Sequence, residues 1–218
     1  MISITKSQEP QSLQHYRLQP GTVFDGQNFT PVKQDIREQL VAEQGYLCAY
    51  CMSRIEADDR QMKVEHWHSR KKYPEEQLSY ANLLGCCYGN EGSPDSNSHC
   101  DTKKHDEDLL LNPAEPSHYP RLMIRYEFNG TVTSDNAEFD RQINDVLNLN
   151  ADFLWLKKNR KRIWKKVTQE LSTIGGTATR AQIEALLSTW QRKDSEGKLK
   201  EYSGVAIYYL NKKLQRVS

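Results

Sequence analysis

No apolar run in this 218-residue chain approaches the roughly 20 residues a membrane-crossing helix needs. The opening MISITKSQEP lacks the apolar stretch of a secretory leader. These absences lead to the expectation of a cytoplasmic protein with no membrane partner. No Gly-x-x-x-x-Gly-Lys-Ser/Thr phosphate loop is present, so any dependence on ATP must come through another chain. Internal repeats and long low-complexity segments are absent, which argues against a solenoid. Net charge is nearly absent at +1, but the balance hides an asymmetry. From residue 153 onward there are 15 Lys and Arg against 5 Asp and Glu, leaving 15 against 24 in residues 1–152. A basic tail favours phosphate-rich partners, or else docks on the acidic body.

Cysteine is scarce too, with five in the chain, and an odd number in a reducing compartment suits metal ligation better than disulfides. Cys48 and Cys51 form a Cys-x-x-Cys pair, whose sulfurs can both reach one tetrahedral zinc ion. The same pair could be a redox motif, but the thioredoxin-like βαβ context that reading needs does not surround it. Cys86, Cys87 and Cys100 are the candidates for two further ligands. Adjacent residues point different ways, so only one of Cys86 and Cys87 can bind, and the other fills core space.

Between these cysteines lies VEHWHSRKKYPEEQLSYANLLGCC, residues 64–87. Glu65 offers a hard oxygen suited to Mg²⁺ or Mn²⁺, and His66 beside it can take a proton from water. Such a pair can hydrolyse a phosphodiester: the metal polarises the phosphate while the base makes the nucleophile. His68, two residues on, would share a strand face with His66 and could touch substrate, though a surface histidine is the commoner outcome.

The pattern along the chain suggests a mostly helical α+β fold. Residues 1–29 read as an extended arm. A helix is expected after Thr30, with Thr30 as cap, Pro31 in first position, Ile36, Leu40 and Val41 on one face, and Gly45 as stop. KVEHW reads as a strand, and YANLLGCC as the start of, or approach to, a helix. YGNEGSPDSNSH, residues 88–99, is a loop. Leu122, Ile124, Tyr126 and Phe128 alternate up to Asn129-Gly130, a hairpin signal. Beyond it, Leu156, Ile163, Val167 and Leu171 form a helical stripe ended by Gly175-Gly176. Thr179 and Gln182 form a capping box for a helix carrying Ile183, Leu186, Leu187 and Trp190, and GVAIYYLNKKL makes a last helix. The organisation expected is an arm and helix over 1–45, a metal-bearing core over 46–112, and a hairpin with basic helices over 113–218.

Taken together, Cys-x-x-Cys, Glu-His, Asn-Leu and Cys-Asp-x-x-Lys resemble zinc-containing HNH endonucleases. More narrowly, LCAYCM, EHW, NLLGCC, HCDTKK, LLLNP and VLNLN resemble the HNH proteins of Septu and retron-associated antiphage systems, the PtuB type, chiefly over residues 45–150. The resemblance implies a ββα-metal core and a set of roles. Glu65 and Asp101 would hold Mg²⁺ or Mn²⁺, His66 would be general base, and Asn82 would orient His66 through its second nitrogen. Cys48, Cys51, Cys87 (rather than Cys86) and Cys100 would hold structural zinc, and Lys104 would lie near phosphate. The last metal position, commonly Asn or His in that family, is Asp101 here, with His99 and His105 as competitors. The gap between Cys87 and Cys100 is wider than usual. Implied partners are an SMC/ABC-like ATPase (PtuA-like), DNA or RNA, and a retron reverse transcriptase with its msDNA. The competing reading is a non-catalytic zinc module that binds nucleic acid through KKNRKRIWKK with Trp155 and Trp164, or docks a partner through Trp155, Trp164, Trp190, Tyr208 and Tyr209.

Overall fold

A computed structural model describes residues 1–152, 155–174 and 177–217. It is a mixed α and β structure, mostly helical, with two small sheets. The region expected to be an extended arm contains a helix, α1 (Gln11–Arg17), which buries Leu13 and Tyr16. The helix α2 (Phe29–Glu43) begins earlier than Thr30: Asn28, in the left-handed region at φ 62°, is its cap. Phe29, Val32, Ile36 and Leu40 recur every three or four residues, so one face is buried. That face meets Leu13, Tyr16 and Phe24 on one side and Leu78, Tyr80 and Leu83 on the other. The helix stops at Gln44 and Gly45, as the glycine suggests.

The segment YANLLGCC is not a helix. After one 3₁₀ turn at Tyr80–Asn82 it forms a strand, β2 (Leu83–Cys86), buried at all four positions. Burial on both faces removes the alternation by which a strand is usually recognised. β2 pairs antiparallel with β1 (Lys63–His66), setting Glu65 opposite Leu84 and His66 opposite Leu83. Gln44, buried at the end of α2, holds the β2 backbone like a further strand. Its side-chain nitrogen donates to the Gly85 carbonyl (2.8 Å) and its oxygen accepts from the Gly85 amide (2.7 Å).

The loop 88–99 is closed at its base, where the His99 amide donates to the Gly89 carbonyl (2.9 Å). Gly89 has φ +55°, and a Cβ there would strike the His99 carbonyl. A short helix, α3 (Asp101–Lys104), follows. After α4 (Tyr119–Leu122) comes the expected hairpin, β3 (Ile124–Tyr126) and β4 (Val132–Ser134), although Leu122 ends α4 and Phe128 is exposed. α5 (Ala137–Arg141) then runs into a π-helical turn, Gln142–Val146.

The tail consists of α6 (Trp155–Ser172), α7 (Arg180–Gln191) and α8 (Ser203–Leu214). The Thr179/Gln182 capping box is formed, and Val167, Ile183, Trp190, Ala206 and Leu210 make a core between the three helices. The expected break at Gly175-Gly176 lies outside the described residues. Trp164 packs on Tyr209 (4.7 Å between centroids) and Trp190 is buried, so of the tail tryptophans only Trp155 is an exposed one. No helix among the described residues is long and apolar enough to cross a membrane.

Arg160 fastens this tail to the rest. It is buried, and its guanidinium donates to the carbonyls of Gly130 (2.6 Å) and Leu149 (2.7 Å) and to Asn150 Oδ1 (3.0 Å). Arg160→Met keeps the apolar stem but leaves two buried carbonyls without a donor. The expected loss of stability is about 3 kcal/mol, read from urea melts of the two proteins.

Candidate functional site

Three pieces of chain bring four sulfurs together. The turn after α2 carries Cys48 and Cys51, and is closed by the Cys48 amide on the Ser53 carbonyl (2.9 Å) and the Met52 amide on the Cys48 carbonyl (3.0 Å). Cys87 directly follows β2, and Cys100 directly precedes α3 at φ 56°. The four sulfurs lie within 4.8 Å of one another. Cys48 and Cys100 are 3.9 Å apart, and Cys51 and Cys87 are 3.7 Å apart. A tetrahedral zinc ion with 2.3 Å bonds to sulfur has edges of about 3.8 Å, so this donor set fits that ion. Cys86, the last residue of β2, is outside the set and wholly buried. Burial pushes the Cys100 thiol up, and neighbouring thiols push it further. Burial would also raise Cys48, but hydrogen bonds from the surrounding thiols outweigh it and bring that thiol well below its ordinary value. His99 Nδ1 lies 3.1 Å from the Cys100 sulfur, which places His99 with the cysteines.

Beside this cluster is a cleft of about 660 Å³, lined by Glu65, His66, Asp101 and His105 among others. β1 contributes Lys63 and Glu65 on one face, and both reach α3. Lys63 Nζ is 3.6 Å from Asp101, and the Asp101 carboxyl is close enough to Glu65 to raise its pKa. Glu65 is almost fully buried, takes the Tyr50 hydroxyl (3.0 Å), and pairs with Lys104 Nζ (2.9 Å). Burial pushes its carboxyl well up, the Asp101 charge adds to this, and Lys104 only partly offsets it. Two carboxyls that line one cleft are a pair that a hard divalent cation suits.

His66 closes β1. Its Nε2 lies 2.9 Å from the Gln77 carbonyl, and because a carbonyl only accepts, Nε2 carries the hydrogen. The ring meets the edge of Phe24, with 4.4 Å between centroids. Burial lowers its pKa to about 4, so the imidazole is neutral near pH 7.

The Asn82 side chain makes no hydrogen bond to the His66 ring among the described residues. Its Oδ1 accepts from the His68 amide (2.8 Å) and its Nδ2 donates to the His68 carbonyl (2.9 Å). The turn after β1 is thereby held, and Gln77 aims the histidine instead. Lys104 is likewise not a phosphate contact. It is fully buried against Glu65 and donates to the His66 carbonyl (3.2 Å), so it has no face toward solvent. His68 is stacked between Trp67 (4.1 Å) and Tyr73 (4.3 Å) and bonded to Glu76, outside the cleft lining. His105 is on the cleft wall, paired with Asp95 at 2.9 Å. Of Asp101, His99 and His105, it is Asp101 that stands against Glu65.

Four residues of this site escape sequence reasoning. Lys63 carries a usable signal, since it is two residues from Glu65 on a strand and so on the same face. Tyr50, inside the Cys-x-x-Cys turn, has none. Phe24 falls in a segment without periodicity, and Gln77 acts on His66 through its main chain, which any residue type supplies.

The cysteine geometry separates two neighbours. Cys87→Ser is expected to lose bound zinc and much of the cooperative unfolding transition, since ligation energy is folding energy. Cys86→Ala is expected to retain the metal. Elemental analysis of the purified proteins, with thermal melts, checks both.

No known protein-family profile matches the chain. It is 30% identical over 125 residues to a Vibrio cholerae serotype O1 biovar El Tor protein named "Retron Vc95 putative HNH endonuclease". The match takes in 54% of this chain and 58% of that protein, so the chain spans a little over half the length of its relative.

Proposed function

We propose that this protein is a metal-dependent endonuclease of the HNH type, hydrolysing phosphodiester bonds in nucleic acid. The observation that carries the reading is the meeting of Glu65 and Asp101 in a cleft that also holds a neutral, aimed His66. The name of the Vibrio relative supports it.

Glu65 and Asp101 would hold a magnesium or manganese ion, which supplies Lewis-acid polarisation of the phosphate and stabilises the leaving oxygen. His66, with Nε2–H committed to Gln77, has Nδ1 free to take the proton of an attacking water. Phe24 and the Gln77 carbonyl restrict the ring to one orientation. Lys104 and Tyr50 hold Glu65 in place from behind. The cysteines position the pair indirectly. Asp101 follows Cys100, and β2, which leads into Cys87, is paired with the strand that carries Glu65. Zinc would therefore fix the carboxylate spacing without entering the chemistry.

The wider motif resemblance supports a role as effector of an antiphage defence system, working with an SMC/ABC-like ATPase, and the relative's name supports a retron setting. The test is cleavage of plasmid DNA and of total cellular RNA in Mg²⁺ or Mn²⁺, with and without that ATPase. Wild type is expected to cut one of the two and to stop on chelation. His66→Ala, folded and zinc-replete, should be slower by about 10²–10⁴-fold. Equal cleavage by both proteins would overturn the assignment of the base, and an uncut substrate in every lane would favour a binding module.

A further inference from the structure

The basic helix α6 has a use that the cleft does not account for. Lys157 is paired with Asp152, and Arg160 is buried in its structural role. Lys161 is half-buried, while Lys158, Arg162, Lys165 and Lys166 are exposed, and none of these four has an ion-pair partner among the described residues. Their spacing of three or four residues sets them along one side of the helix. Trp155 begins that line, 69% exposed, with Lys158 Nζ 4.7 Å from its ring centre.

At the other end, Arg162 and Lys166 border a pocket of about 440 Å³ shared with Lys200, Trp190 and Tyr202. Lys166 and Lys200 both approach one indole, 5.6 and 4.8 Å from the Trp190 centroid. Nearby acids are engaged: Glu170 accepts from the Trp190 indole (3.0 Å) and Glu201 from the Arg54 amide (2.9 Å). Arg54, also on the pocket wall, spends its guanidinium on the carbonyls of Gly45, Tyr46 and Leu199. Arg162, Lys166 and Lys200 thus face one concavity against the single acid Glu201, leaving an excess of positive charge that an anion would offset. None of the residues lining this pocket lines the catalytic cleft.

We propose that this side of α6, completed by Lys200, is a second nucleic-acid site that binds the phosphates of a single strand, with Trp155 stacking an unpaired base. The assignment deepens the nuclease reading and rests on it for the class of ligand. From Trp155 to Lys166 is about 16 Å along the helix axis, enough for several consecutive phosphates. A purely electrostatic surface for an acidic protein would not need a solvent-facing indole, whereas a strand uses its flat face.

The test reads binding rather than cleavage. Full-length protein carrying His66→Ala, zinc-replete and in EDTA-free buffer without added magnesium, is titrated against a fluorescein-labelled oligothymidylate and its duplex at several salt concentrations. Adding Arg162→Ala, Lys166→Ala and Lys200→Ala is expected to weaken single-strand binding by about tenfold or more. The salt slope should flatten by about 2, at about 0.7 for each lost phosphate contact. The exchange Arg162→Lys, Lys166→Arg and Lys200→Arg, with charge kept, should restore the slope. Trp155→Ala should weaken the single strand roughly tenfold and leave the duplex nearly unchanged. Unchanged affinity and slope in the alanine triple variant would sink the proposal. So would polyglutamate competing as well as oligothymidylate with no effect of Trp155→Ala, which would indicate an acidic protein partner. Because every protein in the titration lacks His66, these outcomes stand apart from the nuclease reading, which fails separately if wild type cuts nothing.

Discussion

Four sulfur atoms have to meet within bonding distance of a single point, and most of the local architecture follows from that demand. The chain reaches the point from a tight turn, from the end of a strand and from the start of a four-residue helix. None of these pieces is long enough to be stable by itself. β1 and β2 span four residues each, and a two-stranded sheet of that size is marginal in water. Cys48, Cys51 and Cys100 are buried within the largest apolar cluster of the protein, together with Tyr50, Leu84 and Tyr202. The tail is tied to the same place, since the Tyr202 amide donates to the Met52 carbonyl (3.0 Å) just before α8.

The cleft is built on the opposite principle, with unfavourable electrostatics kept in check by position. Glu65 is buried beside another carboxyl and carries one buried lysine as counter-charge. Removing a carboxylate from water is costly unless it is paired and hydrogen-bonded, and here Lys104 and Tyr50 do both. Lys63 stands beside Asp101 (3.6 Å) as Lys104 does beside Glu65, so burial, more than unpaired charge, holds the Glu65 carboxyl up.

Much of this was legible in the residues, but not all of it. The Cys-x-x-Cys spacing marks Cys48 and Cys51, the family resemblance adds Cys87 and Cys100, and the Asn129-Gly130 signal and the Thr179/Gln182 box mark a turn and a helix start that form. What failed to show depends on tertiary partners. A lysine at 104 and an arginine at 160 look like surface charge in a sequence, and only the carboxylate and carbonyls that surround them explain their burial. Asn82 carries the expected residue type but spends both ends of its amide on the main chain of His68, while a glutamine carbonyl does the aiming. Main-chain acceptors have no sequence signature. β2 has no strand signature in the sequence because burial on both faces erases its alternation.

The loop 88–99 has a consequence for how this protein can change. Its two ends are clamped by Cys87 and Cys100, and the Gly89–His99 hydrogen bond seals the neck. Inside, Asn90 Nδ2 donates to the Asn97 carbonyl (3.0 Å), so the segment carries some of its own fastening. Closing a longer loop at a fixed neck costs little, about 0.6 kcal/mol for each doubling of length. The loop nonetheless holds the site at two places, through Glu91 on Lys63 (2.9 Å) and Asp95 on His105 (2.9 Å), so its length matters less than these two residues. Residues added at Gly92, which meets nothing around it and lies between those two ties, would leave the carboxylate pair in register.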